Sequence, residues 1–166
     1  ANSSDQVGRN LMDHPYKSSW ALSDRPVWPF RGPVAISSIE GAQSGAWRGK
    51  RPAFRTDVSN AGWVGLGAPM STVRDLAAQG LSGAALRSAV QEHLSRQVGL
   101  YSLTEQLPDP ANRIVPDDTA VDSIGIPRPR ITYRFDDYTH AGMKAAEAAH
   151  EEIFARLSVS EFHHVK

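Results

Sequence analysis

Apolar and polar positions along this chain group into short blocks, and the block lengths separate strands from helices. Tyr16–Leu22 mixes apolar and small polar residues over the length of a short strand. Val34–Glu40 and Phe54–Ser59 are apolar and β-branched enough to predict two more. Leu100–Leu107 reads as a strand that Pro108 and Pro110 stop, and Ile114–Val115 continues it briefly before a turn at Pro116-Asp117-Asp118. Arg130–Phe135 sets Ile131, Tyr133 and Phe135 on one face and is the cleanest strand pattern. Helical spacing appears in three places. Ser71 is placed to cap Thr72–Gln79, which Gly80 ends. Ser82 is placed to cap a helix to Gln97, with Ala85, Leu86, Ala89, Val90 and Leu94 on one side and Gly99 as terminator. Asp137 or Thr139 starts a last helix to about Leu157, with Met143, Ala146, Ala149, Ile153, Phe154 and Leu157 as its stripe.

Between these blocks lie loops of distinct chemistry. Pro26, Pro29 and Pro33 exclude a helix or central strand from Arg25–Pro33, a surface run pinned by Trp28 and Phe30. Gly41–Pro52 is rich in Gly and Arg and carries Trp47. The element order predicts an α+β fold, a mostly antiparallel sheet with helices to one side.

Composition narrows the function classes. The chain has 166 residues, enough for a domain with a real core, and its formal net charge is zero. Zero charge gives no pull toward nucleic acid or an anionic membrane, and no apolar run reaches membrane-spanning length. There is no Cys, hence no disulfide framework or thiolate site. The start at Ala1 without Met, and the stop at His163-His164-Val165-Lys166, lead us to expect an internal piece of a longer chain.

Several tempting motifs fail. Gly62-Trp63-Val64-Gly65-Leu66-Gly67 has no third Gly at the needed position and no following Lys-Ser/Thr of a phosphate loop, and Pro69 interrupts it. The six histidines offer no i, i+4 pair and no Cys assists, so no metal site is expected. No G-x-S-x-G elbow supports a serine triad. Asp136-Asp137 precedes a helix and reads as a cap.

The densest polar chemistry lies in Val7–Pro15, V-G-R-N-L-M-D-H-P. Asn and Asp compete for backbone hydrogen bonds, and Pro15 pushes His14 out of helical geometry, so the backbone is specified turn by turn. This stretch resembles the N-L-x-D-H-P segment of the glucose–methanol–choline (GMC) family of FAD-dependent oxidoreductases. A second match runs from Glu105 to Ile114 (E-Q-L-P-D-P-A-N-R-I), and a third from Gly125 to Tyr133, followed by Asp136-Asp137-Tyr138. Together they are most similar to the large subunit of bacterial FAD-dependent sugar and sugar-acid dehydrogenases. The middle, roughly Ala42–Ser95, aligns poorly.

The resemblance implies a substrate-binding domain fragment spanning residues 1–166, an antiparallel sheet backed by helices. The flavin-binding glycine motif and the C-terminal catalytic His would lie elsewhere, so no catalytic residue is expected in this piece. It implies that Asn10, Asp13 and His14 lie against the FAD-binding part, and that Ser59, Asn60 and Glu105 face a sugar, polyol or sugar acid. A buried carboxylate such as Glu105 can accept hydrogen bonds from sugar hydroxyls; the alternative for Glu105 is a surface carboxylate at a strand end. The implied parent oxidises a CH–OH group by hydride transfer to flavin at the periplasmic face of the inner membrane, with a small subunit and a cytochrome c subunit as partners. A cytoplasmic location is the alternative. A non-catalytic binding domain that kept the fold is the alternative function.

Overall fold

The computed structural model describes residues 2–61 and 70–165, without the side chains of residues 35 and 36. The phosphate-loop candidate at 62–67 lies outside them. Among the described residues, seven strands and three α-helices follow in chain order: β1 Tyr16–Ser23, β2 Ala35–Ile39, β3 Phe54–Ser59, α1 Met70–Ala78, α2 Gly83–Arg96, β4 Gln97–Thr104, β5 Arg113–Val121, β6 Pro127–Thr132, α3 Asp137–Ala155 and β7 Val159–His164. A short 3-10 turn, Ala46–Gly49, precedes β3. Five strands form one sheet in the order β2-β3-β4-β1-β7 with every neighbour antiparallel, and β5-β6 form a separate hairpin. The α+β expectation holds.

One sheet face is covered by α3, which packs on β1, β3, β4 and β7. Strand alternation puts Ser19 and Ala21, Leu100 and Ser102, and Thr56 and Val58 on that face. Ala21, Leu100 and Phe154 make its apolar centre, flanked by Val58, Val98, Ile153 and Val159. Helix α2 meets the opposite face, where its His93 ring lies 5.8 Å from that of Trp20. The helices therefore do not all back one side, because Trp20 and Ser19 must point in opposite directions.

Local expectations differ from the structure in instructive places. Gly99 does not end α2; the chain passes from Arg96 straight into β4, and Gly99 sits inside that strand opposite Trp20 and Ser59. Pro116-Asp117-Asp118 does not turn; β5 runs through it, with a register slip between Pro116 and Val121 that tolerates the missing Pro N–H. Asp136, rather than Asp137 or Thr139, caps α3, accepting from Thr139 N at 2.7 Å. Ser82 is the N-cap of α2 but makes no side-chain cap bond, and Ser71 lies inside α1. The buried line of α3 is Thr139, Gly142, Ala146, His150 and Phe154, while Leu157 lies beyond the helix and is exposed. Gly142 sets this rotation: a Cβ there would stand 2.3 Å from Pro52 Cγ, so only glycine lets the helix come this close.

Candidate functional site

The three motif-bearing segments, far apart in sequence, meet in space. Gly8 (φ 81) starts the assembly: its carbonyl accepts from Ile114 N at 2.8 Å, and an added Cβ would stand in Ile114 O. Arg9 bridges Arg113, and Leu11 N donates to Asn112 O at 2.9 Å. Asn10 between them holds a left-handed backbone, φ 57, one of the few shapes Asn adopts more readily than other side-chain-bearing residues. Asn112 is buried and also clamps Arg134, donating to its carbonyl at 2.9 Å and accepting from its N–H at 2.8 Å. Gln106 Oε1 accepts from Asp13 N at 3.2 Å and from Tyr133 OH at 2.6 Å. Two side-chain amides, Gln106 and Asn112, thus lock the turn, the extension after β4 and the segment after β6 together.

This frame borders a cleft of about 600 Å³. Met12, Asp13 and His14 line one side; Phe54, Glu105 and Gln106 line the other. The pairing Phe54↔Thr104 ends the sheet there, and Thr104 N ties Pro15 O at 2.8 Å, so the Asp13-His14 turn is held over the sheet end. His14 N donates to Asp13 Oδ1 at 2.8 Å, and both side chains stay more than three-quarters exposed. Glu105 is half exposed rather than buried as expected, because β4 ends at Thr104 and leaves it at the rim, and two residues hold it. Its N–H donates to Ala53 O at 3.1 Å, its Oε2 accepts from Ala53 N at 3.2 Å, and Arg48 pairs with it at 2.9 Å. Arg48 is itself placed by Tyr138 OH, which donates to its carbonyl at 2.9 Å. The cleft therefore joins an apolar floor to carboxylate and amide groups at its rim, a pattern suited to a polyhydroxylated ligand.

Asp13, His14 and Glu105 therefore line one cleft, and Asn10 lies in the strap that holds it. Ser59 and Asn60 do not join them; they lie at the opposite end of β3. There Ser59 Oγ accepts from Ala61 N at 3.2 Å, and Asn60 donates from Nδ2 to Pro33 O at 3.1 Å and from its N–H to Val34 O at 2.6 Å, anchoring the proline-rich loop. Gln106, Asn112 and Arg48 were not singled out from the sequence. The first two stand within the second motif, where the run of Pro and Asp around them was the available signal; Arg48 stands in the Gly- and Arg-rich loop Gly41–Pro52, whose composition gave it no role.

The described residues do not fit a whole flavin dinucleotide. A pyrophosphate needs free amides at a helix N-terminus after a glycine turn. Among the described residues α2 follows a helix rather than a strand, and α3 opens on Asp136 and Asp137, whose charges oppose a phosphate. Among those residues, too, no helix is long and apolar enough to cross a membrane, and no group of three or more His, Cys, Asp or Glu is placed to hold a metal ion.

No protein-family model matches the chain. Over 138 residues, 83% of its length, it is 36% identical to the fructose dehydrogenase large subunit of Gluconobacter japonicus. The chain spans 24% of that relative's length. What has been built above from residues is thus similar, along most of this chain, to about one quarter of a dehydrogenase large subunit.

Proposed function

We propose that the chain is the substrate-side part of a flavin-dependent dehydrogenase that oxidises the CH–OH group of a sugar, polyol or sugar acid. The observation that carries this is one cleft lined by the first two motif segments, with Asp13, His14, Glu105 and Gln106 at its rim, and braced by the third through Tyr133 OH on Gln106. The similarity to a fructose dehydrogenase large subunit agrees with it. The chain's own residues bind and orient. The carboxylate oxygens accept from substrate hydroxyls, Gln106 holds the rim in place, Phe54 and Met12 take the C–H face, and Arg48 fixes the Glu105 carboxylate. When bound, a flavin supplies the hydride acceptor; it is held mainly by other parts of the protein, with Asn10, Asp13 and His14 on its side of the cleft, and no step of the transfer falls to the residues here. A small subunit, a cytochrome c subunit and a periplasmic setting belong to the same proposal.

The test is steady-state kinetics on the full-length protein with glucose, fructose and gluconate and an artificial electron acceptor. Glu105→Gln removes a charge-assisted hydrogen bond worth roughly 1.5–3 kcal/mol. The expected loss in kcat/KM on the best substrate is about ten- to a hundredfold, with flavin content unchanged. Unchanged kinetics would return Glu105 to the role of a surface partner for Arg48. Sugar binding without acceptor reduction would favour a non-catalytic binding domain.

A further inference from the structure

The amide of Gln106 has two ends, and the frame of the cleft uses one of them. Its Oε1 accepts from Asp13 N at 3.2 Å and from Tyr133 OH at 2.6 Å. A backbone N–H only donates, so the end that meets Asp13 is the oxygen, and the chain itself fixes which way the amide points. The Tyr133 hydroxyl then donates to the same oxygen. Its ring is braced edge-on by Phe135 at 5.4 Å, and Phe135 rests edge-on against His140 of α3 at 5.9 Å. The third motif thus grips the Gln106 oxygen from a packed support.

The other end is Nε2, with two hydrogens to donate. Among the described residues it has no hydrogen-bond partner. Gln106 is half-buried and lines the cleft, and its Nε2 does not belong to the buried side-chain atoms left without a partner, so it is open to solvent. An N–H that meets water in the free protein loses little by meeting a ligand oxygen instead, because one acceptor replaces another.

Other side-chain donors around the cleft are turned elsewhere. Gln43 Nε2 donates to Glu40, and Arg55 donates to Asp57 at 2.8 Å. Neither of those carboxylates lines the cleft. The Thr104 hydroxyl donates to Pro15 O at 3.1 Å, and Arg48 is paired with Glu105. The Asp13 and Glu105 carboxylates, when ionised, only accept. The rim therefore sets groups that only accept beside one uncharged amide whose free end only donates.

We propose that Gln106 is a specificity-determining residue of the cleft, its Nε2 donating to one oxygen of the substrate, with Tyr133 as the positioning residue that keeps this end turned to the ligand. The inference rests on the sugar-oxidising reading above and narrows it. The matching ligand gives a hydroxyl hydrogen to a rim carboxylate and an oxygen lone pair to the amide. A sugar or polyol does both through separate oxygens. An analogue without the second oxygen leaves the Nε2 hydrogens unpaired in the occupied cleft, and a site built to donate to an oxygen rejects it.

The test is steady-state kinetics of the full-length, flavin-loaded protein on the best of glucose, fructose and gluconate, and on its monodeoxy analogues, each lacking one hydroxyl other than the one oxidised. Wild type should lose about tenfold or more in kcat/KM on the analogue that lacks the Gln106 partner. Gln106→Glu keeps an oxygen for Asp13 N and Tyr133 OH, and so keeps the frame, but replaces the donor by an acceptor. It should lose about tenfold on the parent sugar, with flavin content and thermal midpoint unchanged, and match wild type on that one analogue. Tyr133→Phe adds no charge and frees the amide to turn, so it should blunt discrimination at the same position severalfold; it decides alone if Gln106→Glu does not fold. Calorimetric binding of the parent sugar and the analogue to protein with reduced flavin, where no turnover occurs, should show the same position dependence. A Gln106→Glu loss spread equally over the parent and every analogue, no loss at all, or a Tyr133→Phe protein that discriminates like wild type overturns the inference and leaves the sugar-oxidising reading standing. A wild-type protein that reduces the acceptor with none of the three sugars overturns both.

Discussion

A fully buried histidine hydrogen-bonded to two serine hydroxyls ties the stability of this chain to pH. Burial lowers the His150 pKa from 6.5 in the unfolded chain to about 4 in the folded one. Between those values the unfolded chain binds the proton and the folded chain does not. Stability is therefore full above about pH 6.5 and falls as the pH drops through the interval, by on the order of 3 kcal/mol in all. Denaturant midpoints at stepped pH should show this slope, and His150→Gln should flatten it; a wild-type slope unchanged in the variant would contradict the assignment. Gly142 is the second residue where one atom decides. Alanine normally favours a helix over glycine by up to about 1 kcal/mol. Here its Cβ would stand 2.3 Å from Pro52 Cγ and 2.7 Å from Cδ, against a ring that cannot rotate away. Gly142→Ala should cost about 1–3 kcal/mol by overpacking, read as a lower thermal midpoint; a higher midpoint would show that α3 shifts freely.

Among the elements, α3 and the β5-β6 hairpin are opposites. The helix buries a full stripe and packs on four strands, with Asp136 accepting from one of its free first-turn amides, Thr139 N. The hairpin pairs mainly with itself, and every residue of β6 is exposed. Its tip is set by Asp122 Oδ1, which accepts from Ile124 N and Ile126 N at 2.9 Å each. A two-stranded hairpin without a covered face is marginal in water. In this chain the β5-β6 amides should exchange with deuterium at least about tenfold faster than those of β4, which has a partner on both sides. Equal protection would mean the hairpin is held by contacts beyond its own ladder.

Taken whole, the molecule offers a frame and a cleft without a place for a nucleotide's phosphates among its described residues. The chain on its own should remain colourless after incubation with FAD and gel filtration, since among the described residues α2 follows a helix rather than a strand and α3 opens on two aspartates that oppose a phosphate. A stoichiometric yellow protein would show that it carries a flavin site of its own. The rim residues, Asp13, Glu105 and Gln106, are positioned by backbone bonds to residues on other elements, so cleft shape depends on the sheet end staying closed.

The sequence by itself determined the α+β class, the strands at 16–23, 35–39 and 54–59 to within a residue or two, and the existence of three α-helices. These follow from local period, proline positions and capping residues, all of which act within a few residues. It also marked the three segments that meet, because Gly8, Asn10 and the prolines constrain their own backbone. Tertiary structure alone decided the rest. Which side of α3 is buried depended on the approach of Gly142 to Pro52, across ninety residues. That His150 is core rather than surface depended on Ser19 and Ser102 arriving from two strands to satisfy its nitrogens. That Glu105 shares a cleft with Asp13 and His14, while Ser59 and Asn60 stand at the far end of β3, depended on strand register. Local pattern specifies a backbone; which polar side chains meet is settled only when the strands pair, because a hydrogen bond requires both partners within about 3 Å.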